Sequence, residues 1–108
     1  MTMAEEFAHE LRVRYGECDP QGIVFNANYL LYFDVAFTEL WRVAVGPWQD
    51  MPARGIDAVV AHAEIDVMRG AELLVAMRAR HVCVSTESWE KTDVPPWVRE
   101  GLERFLVA

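Results

Sequence analysis

Residues 7 to 15 alternate cleanly, with Phe7, His9, Leu11, Val13 and Tyr15 on one side and Ala8, Glu10, Arg12 and Arg14 on the other. Period two over nine residues predicts a half-buried strand. Gly16 to Gly22 carries two glycines, Asp19 and Pro20, and reads as a loop. The period then changes. Behind Asn28, a good N-cap, the residues Tyr29, Tyr32, Phe33, Ala36, Phe37, Leu40, Trp41 and Ala44 recur at three- and four-residue steps. The polar remainder (Asp34, Thr38 and Arg42, with Glu39 beside them) forms a narrow stripe, which predicts a mostly enclosed helix ended by Gly46-Pro47. Residues 47 to 55 read as a loop. Alternation returns from Ile56 to Met68, with Ala61, Ala63, Ile65 and Val67 facing one way and His62, Glu64, Asp66 and Met68 the other. Residues 72 to 85 predict another long strand, carrying Arg78, Arg80 and His81, and Thr86 to Val94 a loop. Pro95-Pro96 opens a short terminal helix with Val98, Leu102, Phe105 and Leu106 on one face and a Glu100–Arg104 pair on the other. One enclosed helix with antiparallel strands is an α+β arrangement.

Composition narrows this picture. The 108 residues, 53% hydrophobic and 25% charged, suit one domain over 1–108 with a core of its own. Seventeen acidic against ten basic residues give a net charge of −7, which argues against nucleic acid or an anionic membrane as partner. A phosphorylated small molecule needs only a local basic cluster and stays open. The apolar run Tyr29 to Phe33, stopped by Asp34, is far too short for a membrane span. The opening MTMAEEFAHE is acidic where a signal peptide is basic, and Cys18 and Cys83 make no disulfide framework. A cytoplasmic location is the expectation.

The densest chemical signal is residues 12 to 29, RVRYGECDPQGIVFNANY. A strand breaks into a loop carrying an acid and runs into the start of an apolar helix. The free N–H groups of a helix start can stabilise an oxyanion. Asp19, a few residues upstream, would then serve acyl transfer as nucleophile or as general base on water. On pattern alone Asp19-Pro20 reads first as a plain turn.

The residues Arg12-Val13, Cys18-Asp19-Pro20, Gly22-Ile23-Val24-Phe25 and Tyr29 resemble the active-site signature of the 4-hydroxybenzoyl-CoA thioesterase family, an acyl-CoA thioesterase branch of the hotdog fold. The similarity continues through the aromatic helix and Arg54-Gly55-Ile56 to Asp66. It resumes over Leu73 to Val84 and Val94-Pro95-Pro96-Trp97. The resemblance implies a long helix wrapped by an antiparallel sheet, in a homodimer or dimer of dimers whose interface forms the active sites. It implies Asp19 as nucleophile or general base, the backbone N–H of Asn26 as the oxyanion donor, and no metal or organic cofactor. Gly22, Val24 and Tyr29 would contact the substrate. Arg78 and Arg80, with His81 and Arg69 near them, would meet the CoA phosphates, unless the two arginines merely point outward on their strand.

The sequence departs from that family in two places. Asn26 stands where His, Tyr or Phe is usual, and supplies a backbone N–H as well as they do. Between Met68 and Glu72 only Arg69-Gly70-Ala71 take the place of two family strands. A sheet so shortened cannot wrap the helix fully, and burial by a partner is expected to compensate.

Other chemistry is thinly signalled. His9, His62 and His81 lack metal-ligand spacing, and His62, Glu64 and Asp66 read as a solvated strand face. Asp34 and Glu39 fall on the polar stripe of the helix, where a solvated or interface role is expected. The leading expectation is an acyl-CoA thioesterase acting on an aryl- or short acyl-CoA. The alternative is a non-catalytic module, built on a shortened hotdog domain, that binds an acyl-CoA or a protein. A hotdog dehydratase is weaker, because no His/Asp or His/Glu pair is evident in the sequence.

Overall fold

The computed structural model describes residues 5–18, 20, 26–69 and 73–106. Helix α1 spans Asn26–Ala44 and so begins before Asn28. Asn28 is therefore not its N-cap: it lies within the first turn, and its Nδ2 donates to the Glu17 carbonyl at 2.9 Å, a tertiary partner in place of a capping one. The other end follows the sequence closely. Val45 and Gly46 both donate to the Trp41 carbonyl, at 2.8 and 3.1 Å. Gly46 has φ +143°, which a side chain would strain.

Two single 3-10 turns, Trp48–Asp50 and Pro52–Arg54, follow, and Gly55 at φ +89° aims the chain into strand β1, Ile56–Arg69. This strand pairs antiparallel with β2, Leu73–Ser85, from Ile56 opposite Ser85 to Arg69 opposite Leu73. The register slips by one between Val60 and His62, leaving Ala61 as a bulge residue. Ala58, Val60 and Ala63 stand opposite Cys83, His81 and Ala79 and share the face turned to α1; His62, Glu64 and Asp66 alternate to the other face. Beyond β2 the chain turns back: Ser85 N–H donates to Glu90 O, Thr92 N–H to Cys83 O, and Val84 bridges Lys91. Helix α2, Pro96–Glu103, opens on proline as expected.

The core is small and lies at one end of the molecule. Trp41, Met51, Ile56 and Val98 are buried, with Phe37, Val45, Trp48, Ala58, Trp97 and Leu102 packed around them. Gly101 brings α2 against the end of α1 so closely that a Cβ there would land on the Ala44 carbonyl oxygen. Arg54 stacks its guanidinium on Trp97, 3.5 Å from the ring centroid.

Three expectations are corrected. Residues 5–14 form no strand, although they alternate. Alternation marks a face, but a strand also needs a ladder, and the described sheet has only β1 and β2. This segment is tied instead by Glu5 N–H to the Arg104 carbonyl at 2.8 Å and by Phe7 edge-on to Phe105. Arg104 pairs with Glu5 at 3.3 Å, not with Glu100. Finally, α1 is not mostly enclosed: Leu30, Leu31, Val35 and Val43 remain 41–53% exposed, because two strands cover only one side of a helix whose apolar arc is wider.

Candidate active site

The helix and the hairpin meet at Phe37, whose ring stacks on His81 with centroids 3.8 Å apart and planes 11° apart. Towards the start of α1 they enclose an apolar cleft of about 440 Å³. Leu30, Leu31, Phe33 and Phe37 line it from the helix, and Val60, Ala63 and Met77 from the strands. That volume suits a small acyl or aryl group. Asp34 and His81 are the ionisable residues in its lining. Desolvation holds the His81 imidazole below its usual pKa, and the Asp34 carboxylate opposes this in part. At neutral pH the ring is uncharged, with one nitrogen to donate and one to accept.

This Asp34–His81 pairing escaped sequence reasoning. The two residues lie in different elements, no short spacing links them, and only the closure of β2 on α1 brings them to one cleft. His81 is thereby separated from Arg78 and Arg80. Those arginines are exposed and alternate to the face away from the cleft, opposite Glu64 and His62. His62 Nε2 lies 3.0 Å from Glu64 Oε1, and that contact holds the Glu64 carboxyl below its usual range. Among the described residues no cluster of three or more His, Cys, Asp or Glu is placed to hold a metal ion. Cys83 is buried, and desolvation pushes its thiol up, away from thiolate chemistry.

The start of α1 borders the cleft, since Ala27 is part of the lining. Asn26 is the first helical residue, so its backbone N–H belongs to the turn that has no partners within the helix. Asp19, Gly22 and Val24 lie outside the described residues. Tyr29 is half-buried, edge-on to Tyr32 with centroids 6.2 Å apart, and is not among the cleft residues. Tyr32 donates its hydroxyl to Glu17 Oε1 at 2.7 Å, and the Arg14 N–H donates to the same oxygen at 2.8 Å. These two bonds hold the Glu17 carboxyl below its usual pKa, the backbone one contributing most. Desolvation and the Glu17 carboxylate push the Tyr32 phenol up to about 12.

Comparison with known proteins bears on this geometry. The family model described as "Thioesterase superfamily" matches residues 21–88, well over half of the chain. The Bacillus subtilis protein named "Putative acyl-CoA thioesterase YneP" is 38% identical over 56 residues, 52% of this chain and 41% of that protein. An Aquifex aeolicus "Putative esterase" is 37% identical over 57 residues, 53% of this chain and 44% of that protein. The chain thus spans less than half the length of these curated relatives. Among solved structures, a hypothetical protein from Thermus thermophilus superposes with a TM-score of 0.75 at 19% identity, over 89% of this chain and 96% of that one. A DHNA-CoA thioesterase from Staphylococcus aureus gives 0.62 at 17% identity, over 76% of each chain. At such identities the likeness concerns the fold, which is the hotdog fold with its described sheet reduced to two strands.

Proposed function

The chain belongs to the thioesterase superfamily, and from that premise we propose that it hydrolyses acyl-CoA thioesters in the manner of the 4-hydroxybenzoyl-CoA thioesterase family. The observation that carries this reading is the apolar cleft that runs to the start of α1. An aryl or short acyl group fills the cleft, with Asp34 and His81 ready to meet a polar substituent on it. The thioester carbonyl then lies at the helix start. Asp19, as general base on water or as nucleophile, delivers an oxygen to the carbonyl carbon. The developing oxyanion accepts from the Asn26 N–H, and the start of α1 at that residue supports the assignment. Collapse expels the CoA thiolate, which takes up a proton; where Asp19 itself attacks, water then hydrolyses the mixed anhydride left on it, so that by either route R–CO–S–CoA and water become R–COOH and free CoA. Each step uses side chains and backbone of the protein, and no cofactor is required.

The reading includes residues 1–108 as one catalytic domain, a cytoplasmic location, and a homodimer or dimer of dimers. Val35 and Val43, uncovered on α1 outside the cleft, and the edges of the two-stranded sheet among the described residues support association. Arg78 and Arg80, exposed on the far face, would reach CoA phosphates bound across a subunit boundary rather than in the cleft of their own chain.

The test is release of free thiol from a panel of aryl- and alkyl-CoA esters by wild type and Asp19→Asn. The expected result is turnover that favours esters small enough for the cleft and that falls by at least about 100-fold in the variant, as for loss of an oxyanion donor. Binding of an acyl-CoA without turnover would overturn it in favour of a non-catalytic acyl-CoA-binding module.

A further inference from the structure

Leu30, Asp34 and Phe37 recur at four- and three-residue steps and share the face of α1 that lines the apolar cleft. Phe37 stacks on His81 with centroids 3.8 Å apart, so Asp34 stands one turn from that stack, on the side towards the helix start. Desolvation lowers the His81 pKa, and the Asp34 carboxylate is near enough to oppose it. Neither side chain has a hydrogen-bond or ion-pair partner among the described residues. The Thr38 hydroxyl donates to the Asp34 backbone carbonyl, and Arg42, the one cation of α1, pairs with Glu39. Arg78 and Arg80 alternate to the far face of β2. The Asp34 carboxylate therefore faces the cleft with no described cation to neutralise it. It lies seven residues beyond Ala27, about 10 Å along the helix axis, where the far end of an acyl group would come if its carbonyl lay at the helix start.

We propose that Asp34 sorts acyl groups by charge: the cleft admits neutral acyl groups and rejects those that end in a carboxylate, which makes Asp34 a specificity-determining residue for thioester hydrolysis. The inference rests on the thioesterase reading, because it takes the cleft as the acyl site. A substrate carboxylate in the cleft would lie beside that of Asp34 and against apolar walls that give it no hydrogen bonds in return for water. His81 is uncharged at neutral pH and does not offset the repulsion. A carboxamide of the same shape meets the opposite reception. Its NH2 group donates to Asp34, and its oxygen accepts from the ring N–H of His81. Asp34 is exposed, so solvent screens part of its field and holds the discrimination to the order of 10-fold.

The experiment measures kcat/KM for 4-carbamoylbenzoyl-CoA and 4-carboxybenzoyl-CoA, two esters of one shape, on wild type, Asp34→Asn, Asp34→Glu and Glu39→Gln. Each ratio of the two esters is divided by that of their uncatalysed hydrolysis, and it is insensitive to the fraction of enzyme that is folded. Wild type should prefer the carbamoyl ester by at least about 10-fold, and Asp34→Asn should bring the two within about 3-fold of each other. Asp34→Glu keeps the charge and should keep most of the preference. Glu39→Gln removes one charge from the same helix outside the cleft and should leave the ratio where wild type has it. A wild type that turns over both esters equally well would overturn the sorting alone, as would a preference that survives Asp34→Asn. Equal loss of preference in Glu39→Gln would also overturn it, by assigning the effect to the net charge of the protein. A wild type that hydrolyses no acyl-CoA ester would overturn the thioesterase reading, and the sorting with it.

Discussion

The two halves of α1 carry the same kind of sequence and meet different fates. In the C-terminal half, Trp41 is 2% exposed and packs on Met51, Ile56 and Val98. In the N-terminal half, Leu30 and Leu31 are 48% and 53% exposed and look into a cleft. Apolar spacing is equally good in both. What differs is the supply of covering structure among the described residues: the turns at 48–54 and helix α2 close over the far end, while the near end meets one face of the β1–β2 hairpin and the turn Tyr15–Glu17. One end of the helix therefore holds the fold, and the other remains available to a ligand. The helix is packed into the core at one end, and its chemistry is expected at the end that is not.

Substitutions should separate the two ends cleanly. The largest effect on stability is expected from Trp41→Ala, about 3–5 kcal/mol by chemical denaturation. Its Nε1 finds no hydrogen-bond partner, so the loss is one of packing rather than of a polar contact. Gly101→Ala should follow, at about 1–3 kcal/mol, because the new methyl group meets the Ala44 carbonyl and the two helices must move apart. At the other end, Leu31→Ser should change stability by no more than about 0.5 kcal/mol, as an exposed position does. Its effect should appear as a raised KM for the acyl-CoA ester with kcat little altered, the mark of binding lost equally from ground and transition states. Equal stability losses for Leu31→Ser and Trp41→Ala would break the comparison.

A smaller effect distinguishes the junction between the halves. His81, stacked on Phe37, has its pKa lowered by desolvation, so the folded state prefers the neutral ring and the unfolded chain takes up the proton more readily. Stability should therefore be fully present above the ordinary histidine pKa of about 6.5 and should decline as pH falls through and below it. Asp34 acts in the opposite sense and tempers the decline. His81→Gln should flatten the thermal midpoint between pH 7.5 and 5.5.

Much of this architecture was legible from the residues. The alternation from Ile56 to Met68 and the long strand read over 72 to 85 became β1 and β2 almost to the residue, because each strand is the other's ladder. Gly46 and Pro95-Pro96 marked helix boundaries through backbone geometry that needs no tertiary partner. The failures share one cause. Residues 7 to 15 alternate as well as β1 does, yet without a neighbouring strand among the described residues the pattern yields no ladder. The N-terminal half of α1 has the spacing of a buried helix, yet burial depends on what covers it. Asn28 left its capping role for the Glu17 carbonyl, a partner eleven residues away. The cleft itself was invisible in the sequence, since Asp34 and His81 meet only through the packing of β2 on α1. Asp19, read from the residue types around it and their resemblance to a family, lies outside the described residues.

The central claim, that the end of the helix outside the core receives the acyl group, is tested most directly by filling the cleft. Ala63 lines it from β1 and stands opposite Ala79, with room for a larger side chain on the side of α1. Turnover of aryl- and short acyl-CoA esters by Ala63→Phe should fall by at least about 10-fold, with a thermal midpoint close to that of wild type, because the new ring occupies the space of the acyl group and disturbs no core contact. Undiminished turnover of the same esters by a folded Ala63→Phe would show that the acyl group binds elsewhere and would contradict the account.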